Sequence, residues 1–132
     1  VGARHFETSA PYVDYVRERG GQIVTAEALV ANTATAIDRA YSALSDVDTV
    51  YVSLDVDVLD ASAAPGVSAP TPGGPTTLAL FRALRQALAD DRVVGFEVVE
   101  CAPPLDRDGL TVDAAARAVA HALSARFAEG SQ

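Results

Sequence analysis

The sequence predicts an α/β domain in which parallel strands alternate with helices, and three observations carry that prediction. Residues 50–58 alternate strictly: Val50, Val52, Leu54, Val56 and Val58 point one way, Tyr51, Ser53, Asp55 and Asp57 the other. That period of two marks a β-strand. Stretches of helical length separate this run from other short apolar runs, giving the order βαβαβαβα, which calls for crossover helices layered on a parallel sheet. A Pro/Gly-rich segment, Ala64-Pro65-Gly66 through Pro72-Gly73-Gly74, directly follows the central strand. Strand tips of this kind are where open α/β sheets place their ligands.

Taken in order, Val1-Gly2-Ala3-Arg4 reads as the end of a strand, and Ser9 caps a helix reaching about Arg19, with Tyr12, Val13 and Val16 on its buried side. Gly20-Gly21 ends that helix, and Gln22-Ile23-Val24 forms a short apolar strand. The spacing of Ile37, Ala40 and Leu44 predicts one helix over residues 31–44, capped by Thr33 or the residues just before it. Ser45 to Asp48 turns into the central strand. Thr76 or Thr77 opens a third helix to about Ala89, with Leu78, Leu80, Leu84 and Leu88 apolar. Arg92 to Glu100 is a strand holding two acids, Glu97 and Glu100, and Pro103-Pro104 stops it. Thr111 caps a last helix, about Val112 to Phe127, and Ala128 to Gln132 should fray.

With 132 residues, 49% hydrophobic and 21% charged, the chain has material for one modest core. A net charge of −8, with all ten basic residues Arg and scattered, argues against nucleic acid as a partner. There is no signal peptide and no apolar run long enough to span a membrane, and the single Cys101 fits a reducing compartment; a cytoplasmic location is the expectation. A sheet of four strands would leave edges that want a neighbour, so the chain reads as part of a larger α/β domain.

Asp55 and Asp57, two apart on one strand, stand side by side. Carboxylates that close repel, and one has its pKa raised unless a cation lies between them. Hard oxygen ligands of this kind suit Mn²⁺ or Mg²⁺. The same alternation also describes a half-exposed strand with a solvated face.

Three segments together resemble the ureohydrolase family of arginases, agmatinases and formimidoylglutamases. They are Ser53-Leu54-Asp55-Val56-Asp57-Val58-Leu59-Asp60 with Ala64-Pro65-Gly66 and Gly73-Gly74; Gly95-Phe96-Glu97-Val98-Val99-Glu100-Cys101-Ala102-Pro103; and, more weakly, Val1-Gly2-Ala3-Arg4. The resemblance implies a three-layer α/β/α fold and two Mn²⁺ per complete site, with Asp55 bridging both metals and Asp57 binding one. The resemblance further implies that a hydroxide supplied by the metals would attack the planar carbon of an amidine or guanidine. Glu100 then holds the cationic nitrogen end of the substrate; its alternative reading is a strand-end acid facing solvent.

The family's Gly-Gly-Asp-His and Asp-Ala-His-x-Asp segments are not in this sequence, nor is its proton-shuttling His. Residues 1–132 therefore read as the C-terminal half of a ureohydrolase domain, its N-terminal half absent, and the isolated chain is expected to be inactive. His121 reads as structural; His5 and Glu7 are weak substrate-contact candidates in a loop; Arg4 and Arg107 are possible carboxylate partners. Ala61 stands where the family usually has Pro. The run Val67-Ser68-Ala69-Pro70 is closer to formimidoylglutamases, and Val67 and Ala69 would remove hydroxyl donors near a guanidine. The leading reading is hydrolysis of N-formimidoyl-L-glutamate to glutamate and formamide. The alternatives are a guanidino hydrolase releasing urea, a non-catalytic arginase-fold module, and single-Mg²⁺ phosphoryl chemistry, which the absence of a Gly-rich phosphate loop or Lys disfavours. The family implies a homo-oligomeric parent, trimer or hexamer.

Overall fold

A computed structural model describes residues 1–4 and 8–127. Its centre is a parallel pair, β1 (Val50–Asp55) and β2 (Val93–Val99), joined through helix α4 (Thr77–Leu88). Tyr51 faces Gly95 and Asp55 faces Val99 across the ladder, so both strands deliver their C-terminal ends to the same edge of the sheet. That is the β–α–β unit the sequence predicts, and the fold is α/β. Thr76 caps α4 by accepting the Ala79 N–H at 3.3 Å. Leu80, Leu84 and Leu88 of α4 are buried, whereas Leu78 faces outward at 55% exposure.

Helix α5 (Leu110–Phe127) follows β2 and lies along α4, burying Ala114, Ala118 and Ala122. Small side chains on that face let two helix axes approach closely. They share one core with Val50, Leu54, Val56, Leu59 and Val67. A second cluster, Val24, Leu29, Ala36 and Ile37, packs on Ala83 and Ala87 at the other side of α4. The His121 ring stacks on Phe81 with centroids 4.4 Å apart, the structural role its sequence context implies.

The amino-terminal third departs from expectation. Helix α1 (Ala10–Glu18) starts after Ser9 but without a side-chain cap bond, and it buries none of its residues; Tyr12 is 71% exposed. The first two predicted strands shrink to one parallel bridge, Ala3 to Thr25, held by Gly2 N–H to Val24 O and Ala26 N–H to Ala3 O. The pairing is short because Thr25 caps a new helix, α2 (Ala26–Ala31), accepting the Ala28 N–H. The helix predicted over residues 31–44 is present from residue 33 to residue 42, and α2 is an additional helix ahead of it that the spacing does not predict. Asn32 takes an extended backbone (φ −156°), closes α2 with its N–H and opens α3 (Thr33–Ser42) by accepting the Thr35 N–H. Thr111 is not the cap of α5: it lies inside the helix, fully buried, and the Asp106 carboxylate accepts the Thr111 and Val112 N–H groups instead. No helix among the described residues is long and apolar enough to cross a membrane.

Candidate active site

Strand β1 ends at Asp55, and Val56–Val58 form a turn of 3₁₀ helix. This corrects the expectation that Asp55 and Asp57 share one pleated face. The cause is Asp55 itself: its Oδ1 accepts the Asp57 N–H at 2.9 Å, capturing a donor that an extended strand would leave for a neighbour. Asp55 remains exposed, while Val56 beneath it is buried in the core. Asp57 is partly buried, and its Oδ1 is enclosed without a hydrogen-bond partner. Burial foremost, then the charges of Asp55 and Glu100, raise its pKa; the Ala69 N–H and the Arg4 charge pull the other way.

Glu100 follows the last residue of β2, next to Val99, the partner of Asp55. Its backbone is left-handed, with φ 64°, which costs a residue bearing a Cβ about 1–2 kcal/mol. Its Oε2 accepts the Ser68 hydroxyl at 3.1 Å, and both residues are exposed. Three acids thus stand at the tips of two adjacent strands, as the sequence predicts, though by a turn and a left-handed kink that it does not reveal.

The surrounding loops are braced by residues that the sequence leaves ambiguous. Asp60 is not at the site; its Oδ1 accepts from the Ser62 N–H and hydroxyl, and its Oδ2 from the Gly73 N–H. These bonds hold the Pro/Gly segment and lower its pKa to about 2. Gly66 joins the two strand-end loops: its N–H donates to Thr111 Oγ1 at 2.7 Å and its carbonyl accepts from Ala102 N–H at 2.8 Å. A Cβ on Gly66 would lie 2.5 Å from Asp106 Cβ and 2.7 Å from its Cα. Val67, expected to remove a donor from the pocket, is 2% exposed and part of the hydrophobic core. Ser68 is a functional candidate that the sequence does not single out, because a loop has no period from which the direction of its side chain can be read.

Arg4 is part-buried, and its Nη2 donates to main-chain carbonyls of Asp57, Val58, Leu59 and Thr71. Arg107 is exposed and gives its N–H to Asp106. The candidates His5 and Glu7 lie outside the described residues.

The donor set suits part of a hard-cation sphere: two carboxylates side by side, one oxygen enclosed and unsatisfied. Among the described residues no third His, Cys, Asp or Glu joins them as a metal-binding group.

Comparison with known proteins gives the same direction. The model of the Arginase family matches residues 1–124. The formimidoylglutamase of Halobacterium salinarum is 58% identical over 126 residues, which cover 94% of this chain and 40% of that protein. The crystal structure of formimidoylglutamase from Bacillus subtilis subsp. subtilis str. 168 superposes with a TM-score of 0.85 at 33% identity, covering 92% of this chain and 39% of that one. Arginase from Bacillus cereus superposes at 0.78 with 27% identity, covering 99% and 44%. The chain spans about two-fifths of the length of the proteins it matches. A family match over nearly the whole chain, together with a fold that agrees with it, makes this chain a member of the arginase family.

Proposed function

We propose that these residues form the carboxylate-bearing part of a manganese-dependent hydrolase of linear amidine C–N bonds, acting on N-formimidoyl-L-glutamate to give glutamate and formamide. The observation that carries this reading is the meeting of Asp55, Asp57 and Glu100 at the ends of β1 and β2. The identity to a formimidoylglutamase supports the choice of substrate. Asp55 and Asp57 would hold the cations, and the enclosed Asp57 Oδ1 is the atom that most needs one. Bound Mn²⁺ supplies Lewis acidity and draws a nucleophile from water at neutral pH. Glu100 binds the cationic nitrogen end of the substrate and orients its planar carbon toward the carboxylate pair, a charge-assisted contact. Ser68 keeps the Glu100 carboxylate turned toward the loop after β1.

The proposal places the remaining metal ligands and the proton-transferring group outside residues 1–132, in the other part of a larger homo-oligomeric ureohydrolase. Two carboxylates cannot by themselves hold two metals, so the isolated chain should not turn over. The test is product analysis with the full-length protein that contains this segment. Mn²⁺-dependent release of formamide from N-formimidoyl-L-glutamate supports the reading. Release of urea from arginine or agmatine instead would assign a guanidino hydrolase. No hydrolysis of either class would leave a non-catalytic module.

A further inference from the structure

We propose that Arg4 is a positioning residue that fixes the main chain at Asp57 and so aims the Asp57 carboxylate, with Asp55, at a divalent cation; this rests on the metal-binding reading of the acid pair. Arg4 sits directly after the Ala3–Thr25 bridge, 53 residues before Asp57 in sequence. Its Nη2 donates to Asp57 O at 2.9 Å and Leu59 O at 2.8 Å, with longer contacts to Val58 O at 3.2 Å and Thr71 O at 3.3 Å. One nitrogen carries two hydrogens, so the two short bonds are the principal ones and the others share them.

Those carbonyls belong to the turn that carries Asp57 and to the Pro/Gly segment behind it. The Asp57 peptide groups are therefore fixed on both sides: Asp55 Oδ1 takes its N–H, and Arg4 takes its carbonyl. With the backbone held, the side chain keeps little freedom beyond its own torsions, and its Oδ1 stays in an enclosed position without a partner. Gly2 makes the approach possible. It adopts φ 87°, and a Cβ there would run into Val58 Cγ2. A planar, always-charged guanidinium suits this task, because its plane fixes the direction of both Nη2 hydrogens; the freely rotating ammonium of a lysine does not.

The test is Mn²⁺ titration of the ¹⁵N-labelled full-length protein that contains this segment, followed by paramagnetic broadening of the Asp55 and Asp57 amide signals. The variants are Arg4→Gln, Arg4→Lys, the Asp55→Asn/Asp57→Asn pair as a metal-site control, and Arg117→Gln as a surface control. Loss of an outer-shell contact typically weakens metal binding roughly 10- to 100-fold, and a drop of that order is expected for Arg4→Gln. Arg4→Lys should fall between Arg4→Gln and the unmodified protein, and Arg117→Gln should match the unmodified protein. Amide exchange at Leu54 and Val98 should stay as in the unmodified protein, which a general loss of fold would not allow. Equal Mn²⁺ affinity in Arg4→Gln would overturn the positioning role while leaving the metal reading intact. Broadening that survives in the Asp55/Asp57 control, or is absent from the unmodified full-length protein, would overturn the metal reading and this inference with it. Loss of Leu54 and Val98 protection in both Arg4 variants would reduce Arg4 to a fold-stabilising residue and also overturn the proposal.

Discussion

Ser68 gives its hydroxyl to Oε2 of Glu100 at 3.1 Å, tying the loop after β1 to the residue after β2. The bond spans two exposed residues, so its net contribution to stability is small; what it sets is direction. Glu100 is held there with a left-handed backbone that its own side chain disfavours. A strained backbone and a tethered carboxylate at a strand tip fit a residue kept for chemistry rather than for stability.

Glu100→Gly should therefore separate the two demands. Glycine accepts φ 64° without penalty, so thermal unfolding of the isolated chain should show a gain of about 1 kcal/mol. If Glu100 holds the substrate as proposed, the same change in the full-length protein should lower kcat/KM on N-formimidoyl-L-glutamate by at least about 100-fold, because a charge-assisted contact would be lost. A destabilised Glu100→Gly chain would show that the kink is sustained by contacts of the Glu side chain.

Ser68→Ala should leave the melting temperature of the chain within about 2 °C while lowering kcat/KM of the full-length enzyme about 3- to 10-fold. The Glu100 charge remains in this variant and only its orientation loosens. Kinetics indistinguishable from the unmodified enzyme would remove Ser68 from the site.

Gly66→Ala tests the junction between the two loops. The added Cβ meets main-chain and Cβ atoms of Asp106, which cannot swing aside because its carboxylate caps α5. Overpacking of this kind costs about 1–3 kcal/mol, and the upper end is expected here. Urea denaturation should show a lower midpoint with an unchanged slope.

How much of this was legible in the sequence depends on how local each cause is. The alternation from Val50 to Val56 is a nearest-neighbour pattern, and burial of Val50, Leu54 and Val56 follows it. Leu80, Leu84 and Leu88 face the core for the same reason. Asn32, the residue just before Thr33, caps α3 as expected, whereas the six-residue α2 ahead of it is too short to show helical spacing. Asp57 lies next to the end of β1 as expected, but on a 3₁₀ turn rather than on a pleated strand. What turns the chain there is the Asp55 carboxylate on one side and Arg4 on the other, and a contact across 53 residues leaves no mark in local periodicity. Val67 was misplaced for the opposite reason: loops lack a period from which to read the direction of a side chain.

Acid should unfold the chain through two braces that are not members of the acid cluster. Asp60 and Asp90 both have pKa values lowered to about 2, the first by hydrogen bonds from Ser62 and Gly73, the second by Arg92. A carboxyl whose folded pKa lies below its ordinary value near 3.9 stabilises the fold above that value and ceases to as pH falls through the folded pKa. Stability should accordingly decline between about pH 4 and pH 2. The Arg92 guanidinium also reaches the Leu44 carbonyl, so Asp90→Asn should both flatten the decline and lower stability at neutral pH. An unchanged acid profile in Asp90→Asn would place the titrating group elsewhere.

Asp57 should behave in the reverse sense. Its pKa is raised, first by burial and then by Asp55 and Glu100, so its charged form opposes folding of the metal-free chain, and protonation through the folded pKa relieves that opposition. Asp57→Asn keeps the shape, removes the charge and leaves the Asp55 cap on its N–H in place. Without metal, the variant should melt higher than the unmodified chain at pH 7, and the difference should shrink as pH is lowered through the Asp57 pKa. Millimolar Mn²⁺ should invert the order, because a ligand that binds only the folded state stabilises it by mass action and the variant has lost an anionic ligand. Melting curves at pH 7 with and without Mn²⁺ give both readings. A variant that melts lower in the absence of metal would show that the Asp57 charge is already compensated within the chain.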